Sequence, residues 1–224
     1  MRVFISRDLA PDSIFRQRLE AAGYDVIGVS LLQFVAVDCP KIPTTDWIFF
    51  YSKTAVPFFF EQVQHQQLSV HAKLAALGVG TAKAIVSAGY QLHFIGTGEP
   101  ETSAQLFVNQ AIGSSVLFPR AKHSRRSVQE LLAGRIAVED LIVYDNVPRE
   151  DFILPLCDWL VFTSPLNAET YFQRYTLQAK QKIMAIGATT AGALRKLNLS
   201  NMHIASAPSE AAMCDLILET VSSS

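Results

Sequence analysis

The sequence predicts an α/β protein made of two similar parallel-sheet domains, and three of its features carry that prediction. The chain reads twice: four signatures of its first half return in the same order roughly 110 residues later. Arg2-Val3-Phe4-Ile5-Ser6-Arg7 answers to Ser115-Val116-Leu117-Phe118-Pro119-Arg120, and Asp46-Trp47-Ile48-Phe49-Phe50-Tyr51-Ser52 to Asp158-Trp159-Leu160-Val161-Phe162-Thr163-Ser164. The run from Lys73 to Ala82 answers to that from Lys182 to Ala191, and His93-Phe94-Ile95 to His203-Ile204-Ala205. Short apolar runs also alternate with amphipathic stretches of about ten to fifteen residues, the pattern of parallel strands flanked by helices. Two proline-bearing bridges, Cys39-Pro40-Lys41-Ile42-Pro43 and Asn146-Val147-Pro148-Arg149, interrupt that alternation.

In chain order, strands are predicted near 2–6, 25–35, 46–51, 73–77, 92–95, 115–118, 137–144, 158–162, 182–186 and 203–206. Helices fall between most of them. From Ser13 to Ala22, Ile14, Leu19 and Ala22 recur at helical spacing; from Ser127 to Ala133, Val128, Leu131 and Leu132 are expected to face inward. The long run Tyr24 to Val37 leads to Asp46, and Val138 to Val147 leads to Asp158, without a helical pattern between. If both bridges cross between domains, residues 1–35 and 149–224 form a discontinuous domain and 40–145 a continuous one, with 36–39 and 146–148 as a two-stranded linker. Two sequential halves, 1–112 and 113–224, are the alternative that the repeat leaves open. Two adjacent crossing strands would make a paired hinge, which favours interleaving. The Ser222-Ser223-Ser224 tail is expected to fray.

Half of the 224 residues are hydrophobic and 17% are charged, which supplies apolar surface for two cores. A formal net charge of −1 argues against non-specific binding of nucleic acid or an anionic membrane, so an anionic ligand needs a local basic cluster. Cys39, Cys157 and Cys214 suit neither a disulfide framework nor a C-x-x-C motif, and a reducing, cytoplasmic setting is the natural reading. The chain runs from Met1 directly into Val3-Phe4-Ile5 without a signal-peptide pattern, and no run of about eighteen apolar residues occurs.

Each repeat places small polar residues where a strand gives way to a helix: Ser52 and Ser164, Thr81 and Thr190, then the segments around Thr102 and Ser209. There the first helical N–H groups are unpaired and the dipole end is positive, so carboxylates can be held. Ordinary N-capping is the competing account of any one such residue. Arg7 and Arg120 stand at the carboxyl ends of their strands, the edge at which α/β sheets collect ligands. Arg120 heads a basic stretch, Lys122-His123-Ser124-Arg125-Arg126, and Lys53 adds a charge beside Ser52. Tyr144 ends Leu141-Ile142-Val143 and offers a phenol as donor or weak acid; packing is the competing account. The histidines at 65, 71, 93, 123 and 203 lack metal-ligand spacing, and no metal is expected. Gly78-Val79-Gly80 and Gly96-Thr97-Gly98 lack the third glycine of a dinucleotide turn, since Lys83 and Glu101 occupy that place.

These residues together resemble the uroporphyrinogen-III synthase family across nearly the whole chain. The resemblance lies in the N-terminal strand ending in Arg7, Asp-Trp-x-x-Phe-x-Ser, Val143-Tyr144 and, most specifically, Ile186-Gly187-Ala188-Thr189-Thr190-Ala191. Tyr51 before Ser52 and Pro165 after Ser164 depart from the family's pattern. The resemblance implies two α/β domains joined by a two-stranded linker, with both termini in the discontinuous domain. It implies a cyclising lyase of tetrapyrrole and heme biosynthesis that turns hydroxymethylbilane into uroporphyrinogen III in an interdomain cleft. Water is lost and the last ring inverted through a spirocyclic pyrrolenine, without a cofactor. By motif, Tyr144 matches the family's active-site tyrosine, Thr81 and Thr190 its paired cleft threonines, and Ser52 and Ser164 its serines after the strand. Tyr144 would be the assisting acid. Arg7, Ser52, Lys53, Thr81, Arg120, Arg125, Ser164, Thr189 and Thr190 would grip the eight carboxylates of a small-molecule linear tetrapyrrole. A monomer, without nucleic acid or membrane, is expected. The second class of reading is a non-catalytic two-domain binding protein for a small polyanion, which turnover would separate from the first.

Overall fold

The computed structural model describes residues 1–39, 41–124 and 126–222. It is an α/β fold of two compact units: the first holds Met1–Gln33 and the chain from Val147 onward, the second Phe34–Asn146. Arg125 and the last two serines of the tail lie outside the described residues.

In the first unit, strands β1 (Arg2–Ile5), β2 (Asp25–Gly28), β9 (Trp159–Phe162), β10 (Lys182–Ala185) and β11 (His203–Ile204) form a sheet of order β11-β10-β9-β1-β2. Every neighbouring pair in it is parallel. Side chains of a strand alternate between faces, and the sequence fills both: Val3, Ile5, Trp159 and Val161 join one core, Phe4, Leu160 and Phe162 the other. Helices α1 (Ile14–Ala21) and α8 (Glu210–Ser222) cover the first face, and α6 (Pro165–Arg174) and α7 (Ala188–Lys196) the second. Burial on both faces is why these strands read as unbroken apolar runs.

The second unit repeats the layout, with the first two residues of its β3 and the last two of its β8 reaching past its bounds. Strands β3 (Leu32–Ala36), β4 (Trp47–Phe50), β5 (Lys73–Ala76), β6 (Phe94–Ile95), β7 (Ser115–Ala121) and β8 (Ala137–Pro148) take the order β3-β8-β7-β4-β5-β6. The pairs β7–β8, β4–β7, β4–β5 and β5–β6 are parallel. Helices α2 (Ala55–His65) and α3 (Val79–Ser87) pack on Ile48 and Phe50; α4 (Pro100–Ala111) and α5 (Ser127–Leu132) pack on Trp47 and Phe49. The signatures that match in sequence occupy matching places: β8-β7-β4-β5-β6 corresponds strand for strand to β2-β1-β9-β10-β11. Only the chain order differs, because β7 and β8 come last in their unit while β1 and β2 come first. The extra edge strand β3 lies beside β8. Arg149 N–H donates to Leu31 O at 2.8 Å and Val37 N–H to Val143 O at 3.1 Å, so the two crossings run side by side in opposite directions.

Three sequence expectations need correction. The predicted strand 25–35 is two strands, β2 and β3. Between them, Ser30 N–H donates to Asp8 Oδ1 at 3.1 Å and Leu31 N–H to the buried Asn167 side chain at 2.9 Å, so the backbone leaves the ladder to satisfy side chains. Helix α1 turns Phe15 and Leu19 inward and leaves Ile14 51% exposed. Helix α5 buries Val128, Gln129 and Leu132, with Leu131 43% exposed.

Candidate active site

In parallel sheets a ligand crevice opens where connections leave a strand toward opposite sides, at the carboxyl edge. In the second unit the chain proceeds from β4 to β5 and β6 on one side and returns to β7 and β8 on the other. The carboxyl ends of β4 and β7 carry Ser52-Lys53 and Arg120. In the first unit the equivalent point lies between β1 and β9, whose ends carry Ser6-Arg7 and Thr163-Ser164. Topology therefore brings the sequence candidates to the edge where ligands bind, separately in each unit.

Within the second unit, Tyr144 sits on β8 opposite Ala121, beside a register shift in β7. It is 7% exposed. Its ring stacks on Phe58 at 5.2 Å between centroids and meets Phe34 edge-on at 5.6 Å, so two aromatic contacts fix its direction. The phenol oxygen lies 3.3 Å from Ser52 Oγ. Ser52 Oγ in turn accepts the Thr54 N–H at 3.1 Å at the entrance to α2. Lys53 is exposed next to this pair. Thr81 is buried in the first turn of α3, its N–H donating to Gly78 O at 3.1 Å.

Arg120 is turned inward. Its Nε lies 3.3 Å from Asp140 Oδ1, and Nη1 donates to Ala121 O at 2.9 Å and Lys122 O at 3.2 Å. Asp140 also pairs with Arg126 at 2.8 Å and accepts from Gln129 Nε2 at 3.2 Å. Lys122 Nζ stands 3.6 Å from Asp145, the neighbour of Tyr144.

The first unit presents a parallel set. Ser6, fully buried, accepts the Thr163 N–H on its Oγ at 2.9 Å, and Thr163 Oγ1 donates to Ser6 O at 3.0 Å, which laces the ends of β1 and β9 together. Arg7 pairs with Glu210 at the start of α8. Burial raises the pKa of Glu210, but hydrogen bonds from Phe15 N–H and Ser13 Oγ, with the Arg7 charge, outweigh it and hold the carboxyl below its ordinary value. Ser164 caps α6, accepting from Asn167 N–H at 3.3 Å and Asn167 Nδ2 at 3.0 Å. Thr189 is exposed and Thr190 is 3% exposed, both in the first turn of α7 after the cap Gly187. Thr190 occupies in α7 the place that Thr81 holds in α3. Ser209 Oγ accepts the Ala212 N–H at 3.2 Å, and Thr102 is exposed in α4.

A roomier cavity of about 670 Å³, lined in part by Lys41, Trp47, His71 and Lys73, opens at the amino ends of β4 and β5. That is the opposite edge of the sheet from Ser52 and Tyr144, so the topological rule and the hydroxyl pair favour the carboxyl edge. Sequence reasoning missed Phe34, Phe58, Gln129, Asp140 and Glu210. A signal existed for Gln129: it shares a helix face with Leu132, three residues on, and lies next to Val128, yet is polar. Among the described residues, no helix is long and apolar enough to cross a membrane.

Comparison with known proteins adds a family to this geometry. A family model described as uroporphyrinogen-III synthase HemD matches residues 13–215. A curated protein named uroporphyrinogen-III synthase, from Chlorobaculum parvum, is 26% identical over 221 residues, covering 88% of this chain and 89% of that one. Among solved structures, uroporphyrinogen-III synthetase from Helicobacter pylori aligns with a TM-score of 0.67 at 23% identity, covering 98% of this chain and 100% of that one. A mutant uroporphyrinogen III synthase from Thermus thermophilus aligns with a TM-score of 0.54 at 19% identity, covering 100% of both chains. The two structural likenesses speak for the fold.

Proposed function

The chain belongs to the uroporphyrinogen-III synthase family, and from that premise we propose that it closes hydroxymethylbilane to uroporphyrinogen III with loss of water and inversion of the last ring. The observation that carries this reading within the molecule is the Ser52–Tyr144 hydroxyl pair, 3.3 Å apart at the carboxyl edge where β4 and β7 diverge.

The phenol of Tyr144 assists the departing hydroxymethyl oxygen. As the C–O bond breaks, the Tyr144 proton leaves with that oxygen as water, and the pyrrole nitrogen lone pair fills the vacancy at carbon. The cation so formed is attacked by the substituted carbon of the last ring, giving the spirocyclic pyrrolenine. Its bond to the neighbouring ring then migrates, the carbon–hydrogen bond at the closing position breaks, and a proton returns to Tyr144, so the cycle consumes no co-reactant. Ser52 sets the direction of the phenol proton, and the aromatic walls of Phe34 and Phe58 fix the ring.

Most of the acceleration in this scheme comes from bringing the ends of a flexible chain together. The acetate and propionate arms are held by residues at the carboxyl ends of the strands: Ser52, Lys53 and Thr81 in the second unit, Arg7, Ser164, Thr189 and Thr190 in the first; Arg120, a sequence candidate for the same work, is turned inward onto Asp140 and two backbone carbonyls. Backbone N–H groups at the starts of α3, α6 and α7 add neutral donors to these cations. Arg125 was a sequence candidate for the same work and lies outside the described residues. The reaction class is that of a cyclising hydro-lyase. Freshly generated hydroxymethylbilane, incubated with the purified protein and oxidised, gives predominantly isomer III on this reading. Only isomer I, as in the control without protein, moves the polyanion-binding protein to the front.

A further inference from the structure

Below the Ser52–Tyr144 pair the structure leaves a cavity of about 20 Å³, lined by residues that include Ser52, Arg120, Gln129 and Tyr144. A space of about 10–15 Å³ suffices for one water, provided two to four polar partners face it. Three side-chain atoms are buried and unpartnered among the described residues, and two of them, Arg120 Nε and Gln129 Oε1, belong to residues that line this space; the third is Asn146 Oδ1. Gln129 is 3% exposed, and its amide is not free to reverse, because Nε2 donates to Asp140 Oδ1 at 3.2 Å and a reversed amide would set oxygen against carboxylate. Arg120 Nε lies 3.3 Å from the same carboxylate, yet its N–H is not aimed there. One group that can only donate and one that can only accept therefore sit on residues bordering a space of one-water size, whose other polar lining residues are Tyr51, Ser52, Ser124 and Tyr144.

We infer that Arg120 and Gln129 hold a single buried water against the Ser52–Tyr144 hydroxyls, and that Gln129 is a positioning residue for the phenol. The water accepts from Arg120 Nε–H, donates one hydrogen to Gln129 Oε1 and has the other for the Tyr144 oxygen. That oxygen, already an acceptor, turns its own proton away from the sheet. The assignment explains why a glutamine stands in the apolar face of α5, and why Arg120 is anchored by Asp140 and two carbonyls. The catalytic half of the inference rests on the synthase reading; the water itself does not.

The test pairs crystallography with kinetics on the intact protein. In the parent, high-resolution density shows a water within hydrogen-bond reach of both Arg120 Nε and Gln129 Oε1. Gln129→Met, of similar length but without the amide, loses that water and lowers kcat about tenfold at unchanged KM, while Tyr144 stays in place. Gln129→Glu keeps an acceptor oxygen of the same reach and with it the water, and kcat recovers to within about threefold. No density in the parent cavity overturns the water site. A folded Gln129→Met with parental kcat, or a Gln129→Glu as slow as the Met variant, overturns the positioning role. If the parent itself forms no isomer III, the synthase reading fails while the density still decides the water.

Discussion

At the residue scale, the site's cations come with internal acids: Arg7 with Glu210, Arg120 and Arg126 with Asp140, and Lys122 with Asp145. The pairing lets a chain of net charge −1 keep a basic rim without leaving it uncompensated. Glu210 carries a stability signature. Its folded carboxyl lies below the ordinary value, so its contribution is complete above the unfolded pKa of about 4.3 and drains as pH falls through the folded value. Glu210→Gln should lower Tm by about 2–4 °C at pH 7, the size of a ~1 kcal/mol loss in a chain of this length. The gap should shrink below about pH 4.3 and close once pH has fallen through the depressed folded value, where the parent carboxyl is protonated too; a gap of equal size at neutral and low pH would assign the loss to packing. The three cysteines carry a second prediction. Burial pushes the thiols of Cys157 and Cys214 up to about 11 and raises Cys39, so native protein at pH 8 should resist a disulfide reagent until it unfolds. Labelling faster than unfolding would contradict their burial. Sequence reading found Arg7 and Arg120 but not their acids, since Glu210 lies 203 residues from Arg7 and only the fold brings them together.

At the element scale, the repeat makes each strand–helix turn a control for its counterpart. Helices α3 and α7 both start from an extended glycine, Gly78 and Gly187. A Cβ at Gly78 would meet Gly98 Cα at 2.9 Å, and backbone has little room to give; a Cβ at Gly187 meets nothing within 4 Å. Both alanine variants lose the glycine cap, worth about 1 kcal/mol, and Gly78→Ala should lose about 1–3 kcal/mol more through overpacking. Equal losses in denaturant titrations would mean that the close approach of the two turns matters little. The strands were legible because burial on both faces leaves apolar runs such as Trp47-Ile48-Phe49-Phe50. The split of 25–35 was not legible: Val29 and Leu31 read as strand, and what ends pairing there is the distant Asn167 and Asp8. Faces of the short helices were misjudged at Ile14 and Leu131, where one turn of periodicity fits two faces equally well.

At the scale of the whole molecule, the fold class was legible because the repeat preserves strand chemistry through a change of chain order. Matched signatures fall on matched strands, β1 with β7 and β9 with β4, although their order within each unit is exchanged. The make-up of the candidate site was legible only in part. Ser52 and Tyr144, 92 residues apart, were both named from sequence, yet nothing in their spacing foretells a contact; the adjacency of β7 to both β4 and β8 brings them to one edge. Gln129 and its cavity became visible only when helix α5 took its place over that edge. On the proposed function this hydroxyl pair, on this fold, drives water loss and ring inversion. The decisive measurement is the isomer composition formed from fresh hydroxymethylbilane by the parent and by Tyr144→Phe at equal concentration, with thermal unfolding recorded for both. The expected outcome is isomer III from the parent, a rate about 100-fold lower from a variant of unchanged Tm, and isomer I filling the difference as substrate closes unaided. Parental amounts of isomer III from Tyr144→Phe would contradict it.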